Sequence, residues 1–270
     1  MRLVNIRPKR GEALMLGAIP LLVLVLAYLI ASASRHAFNP ADKILPTPEA
    51  MATAMRALVL VPDSMTGERL FWSDTLASLE RLSLGLAISA VSAIIVGLVL
   101  GLIPAVRATF SPLVTIIAVI PPIALLPILF IIMGLGEAAK VTLIVVGILP
   151  FMIRDIAAHV EAVPSEQMLK AQTLGASSWQ LALRVALPQA MPRLIQSVRL
   201  SLGPAWVFLI SAEAIASDVG LGYRIFLVRR YLSMDIILPY VTWIALLAIT
   251  MDWALRLISR RGFAWAHAAP

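Results

Sequence analysis

Apolar positions in this chain come in long blocks separated by short polar interruptions. Six blocks are near the roughly 20 residues that a helix needs to cross a bilayer core. They lie at about 13–33, 83–104, 113–133, 139–157, 195–217 and 237–258, and they predict an all-α polytopic membrane protein with about six transmembrane helices. Residues 34–82 are too polar to cross. They carry the turn signals Asn39-Pro40, Pro46-Thr47-Pro48, Pro62-Asp63 and Thr66-Gly67. At their end, Leu76, Leu79 and Leu82 fall at helical spacing and predict an interfacial helix over Trp72–Leu82 before the second span.

One polar, helix-forming island, Glu166–Pro192, interrupts the apolar blocks. Pro164 ends the segment before it, and Ser165 is placed to cap a helix from Glu166 to Leu174. Gly175 supplies a position of positive φ that stops the helix. Ser177 followed by Gln180 is a capping box for a second helix, which Pro188 and Pro192 should break before the next span. Met168, Ala171, Leu174, Leu181 and Val185 give the pair an apolar surface. Such a knob either grips a soluble partner and passes rigid-body motion to the spans, or is a surface-lying hairpin that merely connects them.

Composition agrees with the blocks. Of 270 residues 60% are hydrophobic and only 14% charged, more apolar surface than a soluble domain of this size can cover. Cysteine is absent, which removes disulfides, thiolate metal sites and thiol nucleophiles. The net charge of +7 does not indicate nucleic-acid binding, because the basic residues cluster at the ends of apolar runs, where they anchor spans at lipid headgroups. The first run, Leu14–Ala33, exceeds the roughly 7–15 apolar residues of a signal peptide, so it is read as a retained span. With residues 1–12 in the cytoplasm, the inner segments hold 13 Lys and Arg and the outer ones 9. The positive-inside rule therefore predicts both termini and the island to be cytoplasmic, with 34–82 outside and 259–270 a cytoplasmic tail.

Within the spans, Gly97 and Gly101 form a GxxxG, read as packing inside one chain. Pro121, Pro122 and Pro127 predict a bent third span suited to a translocation pathway. Ionisable residues in a membrane are costly and flag function. Glu213, near the end of the fifth span, and Asp252, in the sixth, are the candidates. The structural alternatives are pairing of Glu213 with Arg224 or hydroxyls, and of Asp252 with Arg256 one turn on. His36, His159 and His267 share no metal spacing. There is no Gly-x-x-x-x-Gly-Lys-Ser/Thr loop, Gly-x-Ser-x-Gly elbow or His-Glu-x-x-His pair, so neither ATP hydrolysis nor another enzymatic activity is expected of this chain.

The island resembles the cytoplasmic coupling loop of binding-protein-dependent ABC importer permeases, whose pattern is Glu-Ala-Ala, three residues, Gly, nine residues, Ile, one residue, Leu-Pro. Lys170-Ala171-Gln172 is read in the Glu-Ala-Ala place, followed by Thr173, Leu174 and Gly175, then Ala176 and Ser177, and after nine residues Val185-Ala186-Leu187-Pro188. Lys170 departs from the acidic residue, and Glu166, one turn earlier, stands in for it. Ile120–Pro127, Gly134–Glu137 with Lys140, and Ala212–Ala214 leading into Gly220-Leu221-Gly222-Tyr223 are similar to the nitrate/sulfonate/taurine branch. The resemblance covers about 40–260.

It implies a type I importer fold whose permease core, 83–258, includes the coupling loop 158–193. It implies a homodimer in the bacterial inner membrane, two ATP-binding subunits that hold ATP and Mg, and an external solute-binding protein. By the same resemblance Gly220–Tyr223 lie outside, near the gate and docking surface, and transport proceeds by alternating access. The branch carries nitrate, sulfonates such as taurine, bicarbonate and small nitrogen compounds. The acidic character of the intramembrane charges adds a guanidinium-like cation as a substrate to test. The competing readings are a secondary transporter or channel working without an ATPase, and a membrane-embedded enzyme.

Overall fold

The computed structural model describes residues 9–40, 42–64 and 67–267; residues 1–8 of the cytoplasmic segment and Thr66 of the turn signals lie outside them. Among the described residues the architecture is entirely helical. The helices are α1 (Arg10–Phe38), α2 (Pro48–Leu60), α3 (Leu70–Leu102), α4 (Pro104–Val119), α5 (Leu126–Met133), α6 (Glu137–Glu161), α7 (Ser165–Thr173), α8 (Ser178–Leu181), α9 (Leu187–Ile215), α10 (Leu221–Arg229) and α11 (Met234–Gly262). Five of the helical stretches are long and apolar enough to cross a membrane, and a bent pair makes a sixth.

Glycines set the central packing. A Cβ on Gly85, Gly97 or Gly101 of α3 would fall within 2.8 Å of Ile144, Ile156 or Val160 of α6. These pairs share one sequence offset, so α3 and α6 run parallel at close range. The Gly97/Gly101 motif thus packs inside the chain, as expected. Side chains larger than Gly at these places would cost about 1–3 kcal/mol in forced displacement.

Two parallel helices require the chain between them to recross the membrane. It does so as a broken span. α4 begins beside the far end of α6, where Arg107 pairs with Glu161 at 2.5 Å. After an 86° bend, a 3₁₀ turn at Pro122–Leu125 leads into α5, and Leu126 packs on Leu143 near the start of α6. Pro121 precedes the turn, Pro122 opens it and Pro127 lies in the first turn of α5. All three sit where a helix does not need their missing N–H. The prolines therefore define a break between two helices.

Two expectations change. Residues 70–82 are the first turns of α3, continuous with the span. Their polar side chains Asp74, Ser78 and Arg81 are buried against α9 and α10 instead of lying at an interface. Pro188 and Pro192 do not break the second island helix either: residues 178–215 are helical throughout. A π turn at Ala182–Ala186 precedes Pro188, with the Leu187 N–H donating to the Ala182 carbonyl. The wider turn lets the helix continue past a residue that cannot donate.

α9 runs antiparallel to α3 and α6, and α11 completes the bundle. α1 stands apart and is exposed along most of its length. It is tied to the rest near its C-terminal end, where Tyr28 donates to the Pro46 carbonyl (2.6 Å) and Ser32 to that of Leu45 (2.9 Å). The membrane face bearing α7 is thus opposite the one bearing α2 and α10.

Candidate functional site

On the α7 face, the island folds as two capped pieces. α7 ends in a left-handed Gly175 (φ +84°), with the Gly175 N–H on the Gln172 carbonyl (2.9 Å) and the Ala176 N–H on that of Ala171 (3.0 Å). This is a Schellman closure, which a residue with a Cβ adopts only under strain. Ser177 and Gln180 then form the reciprocal capping box, at 3.3 and 2.8 Å. Met168 packs into the core and Leu181 is buried. Leu169, Leu174, Trp179 and Leu183 point outward; Leu174 is 89% and Trp179 70% exposed. Leu174, one of the residues expected to give the pair an apolar contact surface, faces outward.

Glu166, Lys170, Gln172, Thr173, Ser177 and Pro188 are exposed, and Ala171, Ala176, Val185 and Leu187 are half-buried. The three spacers before Gly175 are Gln172, Thr173 and Leu174, which moves the Glu-Ala-Ala place one position earlier, to Leu169-Lys170-Ala171. Leu169 therefore occupies the acidic position, and Glu166 still lies one turn before it. The knob is joined to the spans by polar ties. Gln189 of α9 donates to Gln167 of α7 (2.9 Å), and the His159 ring lies 3.2 Å from the Gln189 carbonyl. Arg193 pairs with Asp155, locking α9 to α6. Asp252 of α11 accepts from Arg199 (2.7 Å) as well as Arg256 (2.9 Å), so it is a structural ion-pair partner.

On the opposite face, the start of α10 is held by a clamp of buried charges. Its successive N–H groups at Gly220, Leu221 and Gly222 donate to Asp74 (3.0 Å), Ser78 (2.9 Å) and Glu213 (2.8 Å). Carboxylates at this place also favour the positive end of the helix dipole. Glu213 is fully buried and accepts further from Ser78 (2.8 Å) and Arg81 (2.7 Å). Arg81 also pairs with Glu137, which is bound by Lys140 at 2.8 Å. Asp74, likewise fully buried, accepts from Arg224 (2.8 Å) and from the Tyr240 hydroxyl (3.2 Å). Burial alone would push the Arg224 guanidinium down; the hydrogen bond and charge of Asp74 outweigh it and hold it above its ordinary range. The clamp contains three carboxylates and three bases, so it is electrically balanced.

Gly220 and Gly222 are demanded by this geometry. A Cβ on Gly220 (φ +136°) would sit 2.6 Å from the Glu213 carboxyl, and one on Gly222 2.7 Å from the Ile210 carbonyl. Tyr223 lies beside them, with the Arg224 guanidinium 5.7 Å from its ring centre. Glu213, Gly220, Gly222 and Tyr223 are therefore brought together, while Pro121, Pro122 and Pro127 belong to the broken span. Glu213 does use a hydroxyl, but its cationic partner is Arg81, and Arg224 belongs to Asp74. Sequence reasoning missed Asp74, Ser78 and Arg81, whose spacing puts them on one face of α3.

Known proteins resemble this chain in sequence and in fold. A family model described as "Binding-protein-dependent transport system inner membrane component" matches residues 89–262. The chain is 34% identical over 194 residues to the taurine transport system permease protein TauC of Escherichia coli (strain K12), covering 72% of this chain and 70% of that protein. It is 31% identical over 229 residues to the bicarbonate transport system permease protein CmpB of Synechococcus elongatus (strain ATCC 33912 / PCC 7942 / FACHB-805), covering 80% and 81%. Among solved structures, an inward-facing form of the MetNI methionine ABC transporter superposes with a TM-score of 0.64 at 22% identity, over 74% of this chain and 99% of the other; it supports the fold.

Proposed function

The chain belongs to the family of binding-protein-dependent transport system inner membrane components, and we propose that it is the permease subunit through which ATP-binding subunits drive import of a small polar solute. The observation that carries this reading is the exposed Leu174/Trp179 knob, whose base is capped and tied to α6 and α9. An apolar patch on a polar loop marks a protein contact. A patch built on a rigid base transmits displacement to the spans.

In this reading the α7 face and both termini are cytoplasmic, and two permease copies sit above two ATPase subunits that hold ATP and Mg. Closure of the ATPases draws the knobs together, α9 and α6 follow, and the cavity between the copies opens outward to receive solute from an external binding protein. Each step is a shift between packings to which ATP and the binding protein bind with different affinity. The clamp on α10 acts as the outer gate's rigid end. The solute is of the kind named for the relatives: taurine, another sulfonate or bicarbonate. Guanidinium loses its support, because Glu213 and Asp252 are both neutralised inside the chain.

The test is capture of the ATP-binding subunit in mild detergent. Leu174→Asp and Gly175→Asp should abolish capture while the chain still inserts; unchanged capture refutes the coupling role. Uptake that continues without ATP in proteoliposomes would instead establish a secondary transporter.

A further inference from the structure

Two cavities lie one above the other between α1, α2 and α11. The first, of about 540 Å³, is an apolar slot lined by Leu24 and Tyr28 of α1, Met51 of α2, Phe71 of α3, and Trp243 and Leu246 of α11. The second, of about 520 Å³, is more polar than the first and lies toward the membrane face of α10, lined by His36, Asp42, Lys43, Thr47 and Asp235 together with Pro40, Pro46 and Ala50. The same three helices line both: α1 from Leu24 to His36, α2 at Ala50 and then Met51, α11 at Asp235 and then Leu238–Leu246. Along α11 the slot runs from Leu238 to Leu246, about 12 Å at roughly 1.5 Å per residue, which is most of one leaflet of a roughly 30 Å hydrocarbon core.

We infer that this composite site binds one phospholipid with a zwitterionic amine headgroup, its acyl chain in the slot and its headgroup in the polar pocket. The depth order, polar over apolar on shared helices, matches a lipid standing in a leaflet. The charges select the head. Asp42 is already engaged by Arg35 and by the Ile44 N–H. That leaves Lys43 and Asp235 as the opposite charges lining the pocket, Lys43 for the phosphate and Asp235 for the ammonium. The His36 Nδ1–H donates to the Ser32 carbonyl at 2.9 Å, so its Nε2 edge is turned to other partners. Because α1 is tied to the body only near the pocket, among the described residues, the bound lipid fills the gap between α1 and α11 and fixes the angle at which α1 leans.

The experiment uses the full-length chain exchanged into detergent with equal amounts of phosphatidylethanolamine and phosphatidylglycerol of identical acyl chains, and native mass spectrometry of what remains bound. One phosphatidylethanolamine per chain should be retained, enriched roughly fivefold over phosphatidylglycerol, the worth of one exposed ion pair. Asp235→Asn should erase the preference, Lys43→Glu should lower retention, and Leu246→Trp should expel both lipids. Equal retention of the two lipids, or retention indifferent to Leu246→Trp, overturns the inference. So does disulfide crosslinking, between cysteines placed at Val25 and Leu246, that joins two chains instead of closing within one, because a second copy would then occupy the slot. None of these readouts depends on ATPase capture or uptake.

Discussion

The clamp around α10 and the knob around Gly175 are both built from caps on short helices, yet they use polar groups in opposite ways. At the clamp every capping group belongs to another helix. Asp74 and Ser78 come from α3, Glu213 from α9, and the carboxylates have no exposure. At the knob the caps are local, Gly175 closing on Gln172 and Ser177 on Gln180, and the apolar residues face outward. The first arrangement is complete within one chain and fixes the geometry of three helices. The second is capped locally and leaves its apolar side chains on the outside.

The sharpest way to break this contrast is at Glu213. Glu213→Ala leaves the buried Gly222 N–H and Ser78 hydroxyl without their carboxylate acceptor and takes from the buried Arg81 guanidinium one of its two carboxylates. Removing one member of a buried ion pair costs about 3–5 kcal/mol. A large fall in unfolding midpoint in detergent is expected, and a variant as stable as the parent would show that the clamp contributes little. The next largest effect separates the two regions. Trp179→Ala should leave stability nearly unchanged, because the side chain is mostly exposed. It should weaken binding of the ATP-binding subunit by about 2 kcal/mol, roughly thirtyfold, as aromatic anchors at interfaces do. Equal losses of stability and affinity would mean that the knob supports the fold and is not a contact surface.

The same contrast decides what could be read from sequence. The Gly175 closure and the Ser177/Gln180 box were legible because all their partners lie within a few residues, and the apolar blocks because a span is contiguous. The clamp was not legible. Its partners are separated by 135 residues for Ser78 and Glu213 and 150 for Asp74 and Arg224. Without them, the polar start of α3 counts against a span. One signal was available: Asp74, Ser78 and Arg81 at spacings of four and three, which aligns them on a single face. The continuity of the fifth span past Pro188 was hidden for a different reason. Local rules assign a break to proline, and the π turn that absorbs it has no sequence signature.

A smaller effect tests the local caps. Ser177→Ala removes the acceptor for the Gln180 N–H, and losing an N-cap costs about 1 kcal/mol. Since this region is exposed, the change should appear as faster hydrogen exchange over Ser178–Leu181 with the unfolding midpoint nearly constant. Exchange that stays slow would show that packing of Leu181, and not the cap, holds the turn.

The weakest predicted effect lies on the same face as the clamp, at the tie of α1. The hydrogen bond from Arg35 holds the Asp42 carboxyl below its ordinary value of 3.8, aided by the Ile44 N–H. A carboxylate whose pKa is lower folded than unfolded adds stability above its unfolded value, and that stability is lost as pH falls through the folded one. The tie should therefore be intact at neutral pH and released only below about pH 4, the ordinary aspartate range. Asp42 lies in the connection between α1 and α2, so the consequence is local. Proteolysis between α1 and α2 should quicken in that acid window in the parent, whereas Asp42→Asn should be cut at the same faster rate at neutral pH and show no acid step. If the parent shows no step, the Tyr28 and Ser32 hydroxyls alone hold α1 to the body, and α1 is joined by neutral hydrogen bonds while α10 is joined by charge.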